Sequence, residues 1–361
     1  MKKYGRRLRL STDEENIIYQ HRAKSVDNIN DNSALTQHLS DRGIEKKDVV
    51  SVKHWQSASG DYRFSIVTKE DYGLDEKELF DNVNKFIEGY SPDYKKIKRE
   101  KGNHLLVINP ADIHIGKYAN SIETGEDYNS ETAVLRVLEG VQGLIDKAKG
   151  FDIDRVLFCI GNDVLHIDNV YNTTTKGTHQ DVDGKWWEHY EVALMLYVKC
   201  VEMLREIAPV DVLHSMSNHD YQSGFHLAHT LKSWFRKADD VSFDVSVANR
   251  KYYKYGNNLI GLEHGDGAKM DKLPLLMANE KPKEWAETKY RYWYLHHIHH
   301  KVKHKWLDAK DFIGVTVEYM RSPSASDSWH ARKGFCGVPK ACEGFIHDKE
   351  SGQVARLTHY F

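Results

Sequence analysis

Only four cysteines occur in 361 residues, Cys159, Cys200, Cys336 and Cys342, and none forms a C-x-x-C pair. Their scarcity excludes a disulfide-stapled scaffold and a zinc knuckle, and points to a reducing compartment, with the cytoplasm as the expected location. No apolar run approaches the roughly 20 residues that cross a bilayer, so no membrane span is expected. The basic start, with Lys2, Lys3, Arg6, Arg7 and Arg9, has no apolar stretch behind it, so it does not read as a secretory signal. Charge of either sign is not in excess: 51 Lys and Arg against 53 Asp and Glu leave a net −2. The overall charge therefore does not advertise a nucleic-acid partner, although a local basic patch can still serve one. No coiled-coil segment stands out, which leaves dependence on an ATPase partner, like homo-oligomerisation, undetermined. Internal repeats and low-complexity tracts are also absent.

What remains is an ordinary globular composition, 40% hydrophobic and 29% charged, in a chain long enough for one large domain or two. The first hundred residues read differently from the rest. A helix is expected over 13 to 22 behind Ser11 or Thr12 as N-cap, and a second over 33 to 42, closed by Gly43. Strands are expected over 49 to 53 and 63 to 68, joined by a turn at 59 to 61. Two helices and a hairpin outline a small winged-helix module within 1–92. A further helix over 76 to 88 and a Lys-rich linker over 93–102 complete this part.

From residue 103 to 361 the pattern is apolar strand, polar cluster, helix, repeated. Five apolar runs precede five polar clusters: Asp112-Ile113-His114, Gly161-Asn162-Asp163-Val164-Leu165-His166, Ser217-Asn218-His219-Asp220, His264-Gly265-Asp266, and His296-His297-Ile298-His299-His300. Continuous apolar runs are the mark of strands buried on both faces, and polar residues at their carboxyl ends converge on one edge of an α/β sheet. Asp112 and His114, two apart, present an oxygen and a nitrogen to one side. Asp163 is a natural bridge between two cations, with Asn218, His264, His297 and His299 as further donors. Asp, Asn and His without thiolate suit two divalent ions, Mn²⁺ first, with Fe²⁺, Zn²⁺ or Mg²⁺ as alternatives.

In their order and residue types these clusters resemble the five motifs of the calcineurin-like metallophosphoesterase superfamily, over about 103 to 300. The cluster at 161 to 166 is similar to the Gly-Gly-Asp-Leu-Phe-His motif of the nuclease subunits of double-strand-break repair complexes. The resemblance implies a four-layer α/β/β/α fold and one metal on Asp112, His114, Asp163 and His299. A second would sit on Asp163, Asn218, His264 and His297. It further implies His219 as a phosphate-facing catalytic group with Asp220 orienting it, and His166 as a second such histidine, the feature that leans toward nucleic acid. Ser217 and His296 stand where the family usually has glycine. His296 leaves four clustered histidines for two ligand roles, and the H-x-H spacing favours His297 and His299.

Arg321 and His330, in the polar stretch after the last motif, are candidates for phosphate contact. The helix expected over 186 to 207 reads as core, and His104, His179, His189, His214, His226, His229 and His304 read as ordinary structural histidines. Hydrolysis of a phosphodiester is the expected reaction and DNA the expected substrate. The alternatives are a phosphomonoesterase, a small-molecule or cyclic-nucleotide phosphodiesterase, and a non-catalytic metal-bearing nucleic-acid-binding scaffold.

Overall fold

The structure, a computed structural model, describes residues 17–23, 33–57, 62–68, 94–99, 101–297, 309–334 and 337–361. The chain divides into two compact units, Met1–Ser91 and Pro92–Phe361.

In the first unit, β1 (Ile17–Ala23), β2 (Val49–Ser57) and β3 (Tyr62–Thr68) form an antiparallel sheet in that order, with α1 (Ser33–Asp41) beside it. Leu35 and Leu39 of α1 pack on Val52 of β2. The helix expected over 13 to 22 is thus a strand where the structure describes it. Ile17, Ile18 and Tyr19 are residues that favour a pleated surface, and pairing with β2 outweighs the cap signal at Ser11 and Thr12. The basic arm, the turn at 59 to 61 and the helix expected over 76 to 88 lie outside the described residues.

Among the described residues the second unit is mixed α/β with two sheets. Six strands run in the order β14 (Gly352–Tyr360), β13 (Ala341–Asp348), β4 (His104–Asn109), β5 (Ile153–Gly161), β6 (Val210–Ser215), β7 (Val241–Asp244). β4 through β7 are parallel, and β13 and β14 are antiparallel additions. Five strands form the other sheet, in the order β11 (Ala309–Phe312), β12 (Val315–Tyr319), β10 (Tyr290–Leu295), β9 (Asn258–Glu263), β8 (Lys251–Tyr255).

Each apolar run divides between two cores. In β4, Leu106 and Ile108 join one cluster while Leu105 and Val107 join another; in β5, Val156, Phe158 and Ile160 separate likewise from Leu157 and Cys159. The period of two explains the absence of polar alternation, since both faces are covered. Beyond the short α2 (Ser121–Thr124), the first cluster includes the apolar faces of α3 (Ser130–Lys147), α4 (Trp186–Arg205) and α5 (Tyr221–Trp234). The second gathers Ile260, Leu262 and Tyr294 of the five-stranded sheet against the six-stranded one. A third packs Trp293, Leu295 and Val317 with Leu273 and Met277 of α6 (Leu273–Glu280), which the short α7 (Pro282–Glu287) follows.

Two of the helices begin where side chains supply the missing acceptors. Asn129 accepts from Thr132 N–H at 2.8 Å at the start of α3, and Asp168 accepts from Gln222 and Ser223 at the start of α5. Residues 94–99 are pinned to this unit: Tyr94 stacks on Phe235 and Arg99 pairs with Asp240 at 2.7 Å. Cys159, Cys200 and Cys342 are buried free thiols. Among the described residues no helix is long and apolar enough to cross a membrane.

Candidate metal centre

All five clusters leave the carboxyl ends of parallel strands: Asp112 and His114 after β4, Asp163 and His166 after β5, Asn218 to Asp220 after β6, His264 after β9, His296 and His297 after β10. The first two loops are fastened backbone to backbone. Asp112 N–H donates to Asn162 C=O at 2.8 Å, His114 N–H to Asp163 C=O at 2.9 Å, and His166 N–H to Ile115 C=O at 2.9 Å. The local backbone is unusual. Of the six non-glycine residues with positive φ among the described residues, five are Asp112, His114, Asn162, Asp163 and His297. Each such conformation costs about 1–2 kcal/mol, so the surrounding bonds hold these loops against their preference.

Two groups of ligand atoms form, each within 4.8 Å: Asp112, His114 and Asp163, and Asp163, His264 and His297. They share Asp163. Asn218 joins the second, its Oδ1 lying 2.8 Å from His264 Nε2, which is also 3.1 Å from Asp163 Oδ2. One N–H serves two acceptors poorly, whereas a cation draws all three lone pairs together. Asp112 and Asp163 are fully buried, and two carboxylates sharing one buried site are costly without compensating positive charge. The residues present therefore fit a pair of divalent ions.

The electrostatics express the same strain. Burial pushes Asp112 up to about 7, with His264 opposing and the charge of Asp163 adding to the rise. Burial would raise Asp163 too, but His264 and His219 override it and hold it well below the usual carboxylate range. Burial would lower His264, yet Asp163 and Asp112 push it up to about 9. With no ion bound, a proton on His264 supplies part of the positive charge that the site needs; an ion would replace it.

His296 and His297 separate cleanly. His296 is buried with Nε2 at 2.8 Å from Asn109 Oδ1 and Nδ1 at 3.2 Å from Glu263 C=O, so both ring nitrogens are engaged away from the ligand groups. His297 joins Asp163 and His264, and its N–H approaches Asp112 Oδ2 at 3.1 Å. His299, expected as a ligand, and His300 lie outside the described residues.

His219 is anchored twice. Its N–H donates to Asp163 Oδ1 at 2.9 Å, and its Nδ1 lies 2.9 Å from His166 C=O. A carbonyl on Nδ1 fixes the tautomer with the proton there and leaves Nε2 as the second ring nitrogen. The expectation that Asp220 orients this ring is corrected: Asp220 accepts from Leu165 N–H at 2.9 Å and from the Ser217 hydroxyl, holding the loops rather than the imidazole. Burial and the nearby charge of Asp163 push Asp220 up to about 7. His166 Nδ1 faces His114 Nδ1 at 3.3 Å, and burial, reinforced by His219, pulls its pKa well below normal. His114, His166 and His219 form a third close group.

The ligand set opens into a cleft of about 560 Å³, lined by Asp163, His166, His219 and His297 together with Tyr118, residues 178–181 and residues 327–330. His330 is in that wall. Arg321 is not among the lining residues; its guanidinium lies 3.9 Å from Glu343. Several cleft residues escaped the sequence reading. His179, read as structural, lines the cleft, as do Tyr118 and Asp327. Ser322, whose hydroxyl donates to Asp112 C=O at 2.8 Å, carried no signal beyond its place in a polar stretch.

No family model and no curated protein matches this chain. Among solved structures it is similar to Vps29 of Chaetomium thermophilum in complex with a cyclic peptide, at 9% identity and a TM-score of 0.25, covering 72% of this chain and 96% of that one. It is also similar to a purple acid phosphatase from yellow lupin (Lupinus luteus) seeds, at 8% identity and a TM-score of 0.34, covering 85% of this chain and 58% of that one. At these values the likenesses carry nothing about chemistry, which rests on the residues of the site itself.

Proposed function

We propose that this protein is a dinuclear metallophosphoesterase that hydrolyses phosphodiesters, with DNA as its substrate. The observation that carries the reading is the pair of ligand groups sharing Asp163 at the floor of an open cleft. Divalent ions bound there would acidify a water and neutralise charge on phosphoryl oxygens, Mn²⁺ being best matched to the donors. The chain's own residues then divide the work. Asp112, His114 and Asp163 would hold one ion, with His299 as the fourth donor that the family resemblance implies. Asp163, Asn218, His264 and His297 would hold the other. His219, its Nδ1 occupied by the His166 carbonyl, directs Nε2 toward a phosphate oxygen and stabilises the charge that builds there. His166, kept neutral by burial, lines the same cleft.

Nucleic acid is favoured by two supports. His166 stands where the resemblance to repair nucleases lies. Tyr118 and Trp329, about half exposed at 47% and 50%, line the cleft and offer flat faces for a base. A smaller ester has one observation of its own: about 560 Å³ falls within the roughly 300–1,000 Å³ of small-molecule sites.

Hydrolysis of single- and double-stranded DNA and of bis-p-nitrophenyl phosphate, with Mn²⁺ and after chelation, tests this. Asp163→Ala is expected to reduce turnover at least about a thousandfold, the scale of several kcal/mol of lost charge stabilisation. Cleavage of the small ester alone would overturn DNA as substrate. Cleavage of nothing would favour a metal-bearing scaffold.

A further inference from the structure

One wall of the cleft carries a chain of charges separate from the ligand set. Asp327 precedes the short helix α8 (Ser328–Arg332) and accepts from His330 twice through Oδ1, from its N–H at 2.9 Å and from Nδ1 at 2.6 Å. The other carboxylate oxygen lies 3.3 Å from Nζ of Lys117. That lysine is 1% exposed and also donates to Ser324 Oγ at 3.1 Å and Ala325 C=O at 2.7 Å. Burial pulls its pKa down while Asp327 opposes the fall; Asp327 itself is held far below the carboxylate range, His330 and Lys117 outweighing burial.

A helix cap alone needs none of this. An N-cap carboxylate is satisfied by backbone N–H groups, and burying an ammonium to serve one is expensive. The arrangement instead resembles the way a carboxylate fixes an imidazole: Nδ1–H is committed to Asp327, and Nε2 is the ring nitrogen turned from the carboxylate. The wall is also set in register with the metal loop at two points. Lys117 lies three residues after His114, its N–H on the His114 carbonyl at 3.0 Å, and Ser322 holds the Asp112 carbonyl at 2.8 Å. His330 and Asp327 line the cleft with Asp163, His166, His219 and His297.

We propose that His330, positioned by Asp327 and the buried Lys117, is the proton donor to the leaving oxygen. This rests on the phosphodiesterase reading above. The attacking water forms the new P–O bond and releases one proton to solvent. As the opposite P–O bond breaks, its electron pair stays on the leaving oxygen, which takes the proton from Nε2 of the His330 imidazolium. The ring is reprotonated from solvent after the alcohol departs. Asp327 and Lys117 act through His330 and are positioning residues.

A donor of this kind matters only when the leaving oxygen is basic, and that separates it from a structural role. Turnover of the Mn²⁺-loaded full chain is measured on bis-p-nitrophenyl phosphate, whose p-nitrophenolate needs no proton, and on a thymidine dinucleotide, whose alkoxide does. His330→Asn is expected to cost about 100-fold on the dinucleotide and less than about threefold on the aryl ester, the lower end of what general acid catalysis supplies. Asp327→Asn should follow the same split and Asp327→Glu recover most of it, with the thermal midpoint and Mn²⁺ affinity of each variant recorded alongside. Equal losses on both esters, or no loss on the dinucleotide, would overturn the donor role and leave the phosphodiesterase reading standing. A wild-type protein that cleaves neither ester would remove both together.

Discussion

The Ser217 hydroxyl accepts from the N–H of Asp163 at 2.9 Å and donates to Asp220, whose other oxygen takes the N–H of Leu165. One small side chain therefore fixes the backbone of the shared carboxylate and joins the loops after β5 and β6. Ser217→Ala leaves a buried N–H without its acceptor, and a loss of about 1–3 kcal/mol is expected in urea unfolding of the metal-free protein. Mn²⁺ affinity should weaken about 10- to 100-fold, as for outer residues that orient ligands. A change below about 0.5 kcal/mol with unaltered affinity would refute the assignment. At this scale the sequence was informative about residue type and order, because carboxylates, amides and imidazoles directly after apolar runs have little other reason to recur. The H-x-H spacing favoured His297 over His296 but said nothing of what His296 does. The two are adjacent, and only the partners at Asn109 and Glu263 show that one ring is structural while the other, at φ +65°, joins the ligand group.

At the scale of elements, β5 must end abruptly so that Asn162 and Asp163 can reverse into the cleft. Gly161 makes that turn at φ +85°, where an added Cβ would fall 2.2 Å from the Ser215 carbonyl of the neighbouring strand. Backbone cannot yield as a side chain can. Gly161→Ala should therefore lower the thermal midpoint of the metal-free protein by at least about 5 °C, combining left-handed strain with the clash, at roughly 2–4 °C per kcal/mol for a unit of this size. An unchanged midpoint would show that β5 can end elsewhere. β4, β5, β6, β9 and β10 were legible because burial on both faces leaves an unbroken apolar run whose alternate residues face different cores. The strand at Ile17–Ala23 was not, since a polar cap signal precedes it and its pairing with β2 is a long-range contact that local pattern does not contain. In the cleft wall at 327–330, His330 was read as a candidate from its polar stretch, whereas the lysine two hundred residues earlier that sets the wall left no local signal.

Across the whole second unit, the sheets bury histidines outside the ligand groups as well as within them, and this has a consequence for acid stability. His347 of β13 is fully buried between the sheets, with Nε2 2.8 Å from the Tyr294 hydroxyl, and burial pushes its pKa from 6.5 down to about 3. His214 of β6 is shifted to about 3 by burial, aided by Lys251. A histidine that stays neutral when folded binds fewer protons than its unfolded form between pH 3 and 6.5. Stability is therefore complete above 6.5 and is lost as pH falls toward 3. Asp112 and Asp220, raised to about 7, bind more protons when folded and tilt the curve the opposite way between 3.8 and 7, so the raw pH profile of the metal-free protein mixes the two. A comparison with His347→Gln, which keeps a polar partner for Tyr294 but cannot titrate, isolates one histidine. Between pH 7.5 and 5.5 the wild-type chain should lose about 1.4 kcal/mol more unfolding free energy than the variant, the value for one site with an unfolded pKa near 6.5 and a much lower folded one. Parallel urea midpoints across that interval would mean that His347 takes up its proton within the fold, and that the space between the sheets admits charge more readily than its packing implies.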